Sequence, residues 1–200
     1  MFSLVANIKN LFIIFFLRFY GIKIKKKVFI KKFPDLKING NPKNILIGEG
    51  VKILGKIDLR NRENGKIIIK NNVTIEGDCR FVSAKNGIIE IGENTIITKG
   101  AIMNGGGSII IEMNCIIGPY NIINANDHKI GLKNLIRDKE FIYGDVIIRE
   151  NCWTGAFTSI KKDVEIAKNS VIGAHSFVTK NTLENSINYG VPSKFIRYRE

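Results

Sequence analysis

Aliphatic residues recur every six positions along most of this 200-residue chain. The longest uninterrupted run comprises six positions, one of them a threonine: Ile148, Thr154, Ile160, Ile166, Ile172 and Val178. Shorter triplets keep the same frame over Ile47–Leu59, Ile69–Phe81, Ile91–Met103 and Ile111–Ile123. A period of six fits neither the 3.6-residue repeat of an amphipathic helix nor the two-residue alternation of an ordinary strand.

The period predicts a three-sided coil in which each hexad forms one flat side and one corner. The frame residue points inward and stacks on its equivalent in the next turn, so that stacking supplies the core. The residue two positions before the frame is small at most hexads: Val51, Val73, Cys79, Thr95, Ala101, Cys115, Cys152, Thr158, Val164, Ser170 and Ser176. All three cysteines lie in this column, which favours small buried side chains over catalytic thiols or a disulfide framework.

Interruptions of the period predict where loops leave the coil. The step is ten residues from Leu59 to Ile69 and from Phe81 to Ile91, and eight from Met103 to Ile111. From Ile123 to Ile148 it is 25 residues. Each interruption follows the third hexad of a turn, so the extra residues lie at one corner. The longest predicts a loop over 124–145, and loops on rigid scaffolds are favoured places for function.

Charge and the first residues indicate an anionic partner. The net charge of +13 predicts affinity for an anionic partner. The content of 24% charged and 44% hydrophobic residues is typical of a globular chain. The apolar run Leu11–Leu17, closed by Arg18, is shorter than the roughly 20 residues that span a bilayer. We expect a short helix over 3–20 that caps the domain or packs on a neighbouring subunit. The alternative is an interfacial anchor, because lysines follow the run.

Several segments carry a family resemblance. Three hexads share one pattern: an aliphatic residue, a small or acidic residue, two free positions, a small residue and one more. They are Ile91-Gly-Glu-Asn-Thr-Ile, Ile117-Gly-Pro-Tyr-Asn-Ile and Ile172-Gly-Ala-His-Ser-Phe. Asn151-Cys-Trp-Thr-Gly-Ala and the closing segment 188–197 add to the pattern. The chain thereby resembles the hexapeptide-repeat acyltransferases, and within them the glycan and sugar O-acetyltransferases.

The resemblance implies a mainly β fold, a left-handed parallel β-helix of hexapeptide repeats with a short N-terminal helix and one long excursion loop. The expected organisation is an N-terminal helical segment over 1–22, the β-helix over 23–182 with its loop at 124–145, and a C-terminal tail over 183–200.

His128 and Trp153 are the expected catalytic residues. The stretch from Ile117 to His128 is similar to the family segment that ends in the catalytic histidine, a general base. An imidazole, with a pKa near 6.5, can take the proton of a sugar hydroxyl at neutral pH. The resemblance makes Trp153 a wall of the site, and Asp127 is a candidate for orienting the imidazole.

The remaining site residues also follow from the resemblance. Four are expected to bind the acceptor: Tyr120, Asn126, Asp127 and Tyr143. Seven are expected to contact coenzyme A, through main-chain groups or as cations near its phosphates: Gly155, Ala156, Ala174, Thr179, Lys180, Lys194 and Arg197. His175 replaces a usual glycine and is interpreted as a corner variant, while Phe157 stands where a small residue is common.

The expected activity is acetyl-CoA-dependent O-acetylation of a sugar hydroxyl, in a bacterial surface polysaccharide such as capsule or lipopolysaccharide. The alternatives are a non-glycan acceptor (serine, an amino sugar or an antibiotic) and a non-catalytic β-solenoid. No metal and no nucleic acid are expected, since the chain has two histidines and no nucleic-acid motif. The expected location is cytoplasmic, with the inner face of the membrane left open. The resemblance implies a homotrimer with active sites between subunits. A subunit interface is also predicted by outward isoleucines: Ile68, Ile96, Ile102, Ile110, Ile116, Ile122 and Ile147.

Overall fold

The described chain is a parallel β-solenoid that follows one α-helix. A computed structural model describes residues 4–132, 135–138 and 140–200. Helix α1 spans Leu4–Phe19, and the strands that follow form three parallel sheets wound in about seven turns. The predicted mainly β coil with an N-terminal helix is confirmed; its left-handedness stays a prediction from the resemblance.

Each turn contributes one strand to each sheet. The first sheet contains, in spatial order, β1 (Lys23–Ile24), β4 (Ile45–Ile47), β7 (Lys66–Ile69), β10 (Ile88–Ile91), β13 (Ile109–Ile111), β18 (Val146–Ile148) and β21 (Val164–Ile166). The second contains β2 (Phe29–Ile30), β5 (Lys52–Ile53), β8 (Thr74–Ile75), β11 (Ile96–Ile97), β14 (Ile116–Ile117), β19 (Trp153–Thr154), β22 (Val171–Ile172), β24 (Ser186–Gly190) and β25 (Ser193–Tyr198). The third contains β3 (Asp35–Ile38), β6 (Ile57–Asn61), β9 (Cys79–Ser83), β12 (Ile102–Asn104), β15 (Ile122–Asn124), β20 (Ser159–Ile160) and β23 (Phe177–Val178).

Two short 3₁₀ helices and a hairpin complete the described elements. The 3₁₀ helices span Pro42–Asn44 and Ile136–Asp138. The hairpin pairs β16 (Asn126–His128) with β17 (Phe141–Tyr143) in antiparallel fashion. It occupies the segment predicted as the excursion loop.

The strand register confirms the hexad frame. In the first sheet Ile111 pairs with Ile148, and Ile148 with Ile166. In the third sheet Phe81 pairs with Met103, and Met103 with Ile123. Frame residues of successive turns therefore stack in columns, as the period predicts, and the extra residues of the longer turns lie between the third and first sheets.

The core is the inside of the coil. The frame residues and the column of small residues are buried, including all three cysteines, which are free thiols. Burial raises the pKa of Cys79 to about 11, and the neighbouring Cys152 thiol together with burial raises the pKa of Cys115. A thiol is nucleophilic only as thiolate. The pKa of Cys152 is lowered by its contact with Cys115, but all three thiols are buried inside the coil, so these cysteines are structural, as the pattern predicts.

Three edges separate the sheets, and we number them in chain order. The first edge, between the first and second sheets, turns through asparagines in the left-handed region, where asparagine is tolerated. The amides of Asn151, Asn169 and Asn185 bond one another there at 2.8 Å. The second edge joins the second and third sheets. The third edge joins the third sheet to the next turn and carries the long loops.

The two ends of the solenoid differ. At the start, α1 packs on β1 and β2, with Ile13 and Leu17 buried in the core. At the other end, the segment expected as a tail adds β24 and β25 to the second sheet, where β24 pairs parallel with β22 and antiparallel with β25. Both ends of the coil thus have an element stacked on them.

Outward isoleucines are exposed on two sheets of this single chain. Ile96 and Ile116 lie on the second sheet, 38% and 44% exposed, and Ile122 lies on the third, 37% exposed. The other outward isoleucines predicted to form the interface are partly buried within the chain.

Replacing the frame residue Phe81 with alanine should destabilise the fold by about 3–5 kcal/mol, because it leaves a cavity in a column that cannot collapse. Phe81 is fully buried. The free energy of unfolding, from a urea titration, measures the effect. Phe33→Ala is the matched control: Phe33 is 47% exposed, so its loss should change stability by roughly 0.5 kcal/mol or less. Equal losses of unfolding free energy in the two variants would contradict the prediction that frame residues point into the core.

Candidate functional site: the hairpin and the third edge

The hairpin presents one face to the coil. Cross-strand partners share a face of a ribbon and successive residues alternate between faces. Asn126 pairs with Tyr143, and His128 pairs with Phe141, so these four side chains lie together. Asn126 donates its side-chain amide to the carbonyl oxygen of Gly105 at 3.1 Å, which places this face against the third edge.

A glycine of the third edge lets the hairpin approach closely. A Cβ at Gly106 would lie 2.5 Å from Cε1 of Tyr143, closer than non-bonded carbons come. The Tyr143 ring therefore covers main chain rather than a side chain at this position. Glycine is the residue that such a contact requires.

The candidate base, His128, is exposed at the tip of this face. Its ring centroid lies 4.3 Å from that of Phe141. Asp127 lies on the opposite face of the ribbon, and its carboxylate accepts a hydrogen bond from the main-chain N–H of His128 at 3.0 Å. Within this chain Asp127 thus fixes the hairpin backbone. Its expected role in orienting the imidazole stays a prediction.

A pocket of about 740 Å³ opens between the hairpin and the third edge. Asn126, Phe141 and Tyr143 form one wall. The edge supplies the opposite wall, with three cations, one carboxylate and small or amide side chains: Arg62, Arg80, Lys85, Glu63, Val82, Ala84, Asn104 and Gly105. Glu140 of the hairpin also lines it. The volume is in the range of small-molecule sites.

Two arginines in this pocket have unused donors. Arg80 Nε is buried and has no hydrogen-bond partner, although it forms a long ion pair with Asp58 at 3.8 Å. Asp58 is instead bound by Arg60 at 2.7 Å. Among the described residues, none forms a hydrogen bond or ion pair with the Arg62 side chain. A buried donor without a partner is costly, so a ligand acceptor there would be favourable.

The second edge carries a stack of rings. Tyr120 stacks on Phe157 with centroids 5.1 Å apart, and Phe157 stacks on His175 at 4.9 Å. All three have φ between 57° and 58°, in the left-handed region, which is strained for bulky side chains. His175 thus occupies a corner, as predicted, and Phe157 fills the space left by the rings on either side.

Other predicted site residues share this edge. Gly155, Ala156 and Ala174 lie on the same edge as the ring stack. Trp153 points outward from the second sheet, 52% exposed, in register with Ile116 and Val171. These residues form a partly apolar surface beside the aromatic stack.

The predicted cations lie near the end of the coil. Lys180 and Lys194 line a pocket of about 240 Å³ together with Ser193. Thr179 directly precedes Lys180 after β23. Arg197 is elsewhere on β25, where its guanidinium bonds the carbonyl of Tyr198 and lies 3.5 Å from Glu200.

One chain does not bring these groups together. His128 belongs to the third edge, whereas Tyr120, Gly155, Ala156 and Ala174 belong to the second. A side of about five extended residues at 3.3 Å each separates neighbouring edges by roughly 15 Å. Of the predicted acceptor residues, the structure joins Asn126 and Tyr143 with His128 and leaves Tyr120 apart.

The cationic wall of the pocket was not predicted from the sequence. Arg62 follows β6, whereas Arg80 and Lys85 belong to β9 and the loop after it, so these cations of two turns meet only through the register of the third sheet, in which Arg60 pairs with Val82. The extra residues at this edge were the available signal, because they enlarge one corner in successive turns. Phe141 was also missed, although it alternates with Tyr143 in Phe-Ile-Tyr.

Comparison with known proteins also identifies the hexapeptide repeat. Residues 145–180 match the family profile "Bacterial transferase hexapeptide (six repeats)". This segment therefore carries hexapeptide repeats. The predicted resemblance is therefore confirmed at the level of the repeat.

Three relatives are informative. Galactoside O-acetyltransferase of Escherichia coli K12 is 30% identical over 129 residues, which cover 64% of this chain and 62% of that protein. The crystal structure of the polySia specific acetyltransferase NeuO is 27% identical, with a TM-score of 0.59, covering 82% of this chain and 80% of NeuO. A hexapeptide-repeat acetyltransferase from Vibrio cholerae O1 biovar eltor, complexed with acetyl coenzyme A, is 27% identical with a TM-score of 0.52, covering 56% and 61%.

The alignments are partial. The first curated relatives are matched over 55% to 62% of their own lengths. The chain thus spans less than two thirds of the length of these relatives.

Proposed function

We propose that this hexapeptide-repeat protein is an acetyl-CoA-dependent O-acetyltransferase that modifies a sugar hydroxyl of a surface polysaccharide, with His128 as general base. The observation that carries the proposal is the hairpin face, on which an exposed imidazole stands beside a pocket large enough for a sugar. The names of the relatives support it: one acetylates galactosides, another is specific for polySia, and a third was solved with acetyl coenzyme A.

The chemistry assigned to His128 is a proton relay. The imidazole takes the proton of the sugar hydroxyl while that oxygen attacks the thioester carbonyl. The tetrahedral intermediate then collapses, the carbon–sulfur bond breaks, and the imidazolium returns the proton to the coenzyme A sulfur. The imidazole ends the cycle as it began, so no metal or redox partner enters the balance.

The pocket favours an acceptor with a negative charge. Arg62 and Arg80 offer guanidinium groups, which suit carboxylate or phosphate oxygens. The aromatic wall of Phe141 and Tyr143 suits the apolar face of a sugar ring. We therefore assign the pocket to an acidic acceptor, whose charge comes from a sugar carboxylate or from the diphosphate of a nucleotide sugar.

The donor is assigned to the second edge and the end of the coil. Gly155, Ala156 and Ala174 would run beside the pantetheine arm, with Trp153 as a wall. Lys180 and Lys194 share one pocket, and paired cations suit the phosphates of coenzyme A. Arg197, paired with Glu200 and exposed, would reach these phosphates only by giving up that contact.

A homotrimer would complete the site. His128 and the proposed donor groove lie on different edges of one chain, and a neighbouring copy would bring its second edge to the hairpin of the first. The exposed column of Ile96, Ile116 and Trp153 on the second sheet supports burial against another subunit.

His128→Ala should lower kcat/KM for acetyl transfer by about 10²–10⁴-fold, since general-base assistance is lost. Thiol release from acetyl-CoA, followed with a panel of sugars, amino sugars and serine, measures the effect. Lys129→Ala is the matched control, because Lys129 is exposed on the same strand extension and alternates to the other face. An active His128→Ala enzyme would remove the proposed mechanism, and activity confined to amine acceptors would remove O-acetylation.

Arg62→Gln and Arg80→Gln should each lower kcat/KM for acidic acceptors by about 10–100-fold, the value of one charged hydrogen bond. Neutral galactosides should be affected much less. Sialic acid oligomers and a nucleotide-diphosphate sugar, assayed in parallel, distinguish the two sources of charge. Arg137→Gln is the control, since Arg137 is exposed and does not line the pocket. Equal losses of kcat/KM with neutral and acidic sugars would show that the arginines do not recognise the negative charge of the acceptor.

A further inference from the structure

Helix α1 is fixed to the first turn by one face only. Ile13 and Leu17 are buried at 2% and 1% exposure. The side chain of Asn10 accepts from the main-chain N–H of Ile30 at 2.7 Å and donates to the carbonyl of Val28 at 3.1 Å. At the other end Arg18 donates to the carbonyl of Ile24 at 2.9 Å. These contacts hold the helix against the end of the coil in one orientation.

The opposite face of α1 is apolar and exposed. Its large side chains range from 44% to 85% exposed: Ile8, Leu11, Phe12, Phe15, Phe16 and Phe19, with Tyr20 just beyond the helix. The Phe12 and Phe16 rings touch, with centroids 4.6 Å apart, and Phe15 and Phe16 lie 6.0 Å apart. A contiguous patch of this kind marks an interaction surface rather than a free one.

The patch is surrounded by positive charge. The first 34 residues contain eight Lys and Arg and no Asp or Glu, which is most of the excess in a chain of net charge +13. Six of the lysines are exposed in the first turn, next to the helix: Lys23, Lys25, Lys26, Lys27, Lys31 and Lys32. Among described residues, only Lys27 of these six has an acidic partner, Glu49 at 3.1 Å.

We propose that this face lies in the surface of an anionic lipid bilayer, with the aromatic side chains at the level of the acyl chains and the lysines on the headgroups. An apolar helix face combined with a cationic flank is the physical signature of interfacial binding. A second copy is the poorer occupant, because it would bring a second set of the same eight cations against the first. No described helix is long and apolar enough to cross the bilayer, and α1 itself has 16 residues.

The position of helix α1 in the bilayer surface determines how far the hairpin lies from the membrane. Helix α1 packs on the first turn, and the hairpin leaves the third sheet after β15, the fifth strand of that sheet. With strands about 4.8 Å apart, the hairpin leaves the coil roughly 20 Å from the first turn, and the pocket extends from there towards Arg62 of the second turn. In the proposed trimer the three helices would lie at one end, so three anchors would engage the bilayer together. The membrane contact itself does not depend on the proposed activity.

Sedimentation of the full-length protein with vesicles tests the inference. We expect binding to phosphatidylcholine vesicles that contain phosphatidylglycerol, little binding to phosphatidylcholine alone, and weakening with added salt. The double variant Phe12→Ser/Phe15→Ser should bind about tenfold more weakly or worse, because apolar burial is lost. Lys25→Gln/Lys26→Gln should weaken binding to the anionic vesicles only.

Matched measurements separate the lipid from other occupants. Met113→Ser removes an exposed apolar side chain, 46% exposed, on the first edge away from the helix, and should leave vesicle binding unchanged. All variants change exposed residues, so melting temperature and the mass from light scattering should stay as in the wild type. No sedimentation of the wild type with anionic vesicles would overturn the proposal. So would a smaller assembly in the Phe12→Ser/Phe15→Ser variant with unchanged lipid binding, since that result assigns the face to another copy.

Discussion

Each turn of this solenoid depends on its neighbours to bury the aliphatic side chains that point inward. Frame residues such as Ile111, Ile148 and Ile166 pair in register and stack in one column, and each is fully buried. Burying such a side chain contributes about 1.5–3 kcal/mol, which a single turn could not gain alone. The register is therefore fixed throughout the coil, and the sides have no freedom to vary in length.

The edges are where this chain departs from the repeat. Insertions do not disturb the columns if they leave the coil at a corner, and the third edge takes all of the long ones. The hairpin with His128, the arginine pocket and the close contact at Gly106 all depend on that rule. The second edge, by contrast, keeps its length and varies in side chain, which gives the stack of Tyr120, Phe157 and His175.

The sequence predicts the parts of the structure that follow from period. The columns, the buried cysteines and the position of the excursion all follow from counting residues between aliphatic positions. The pairing of Asn126 with Tyr143 does not, because nothing in the intervening segment specifies the register of a hairpin. The pocket at Arg62 and Arg80 is also not predictable from the period, since its residues lie in different turns. The Arg80 Nε–H lacks a hydrogen-bond partner because Asp58 is bound by Arg60. The helix was expected, but which of its faces is buried depends on Asn10 reaching the main chain of the first turn.

The most direct test of the account is subunit complementation, because the site is proposed to take His128 from one copy and Trp153 from the next. His128→Ala and Trp153→Ala chains, each impaired alone, would be co-expressed with different affinity tags and mixed assemblies purified through both tags. Every mixed cyclic trimer, whichever chain is present twice, has one site in three that combines two intact residues, so about a third of wild-type turnover per site should return. Mixed assemblies no more active than their parents would show that these two residues do not act across a subunit boundary, and would contradict the shared site.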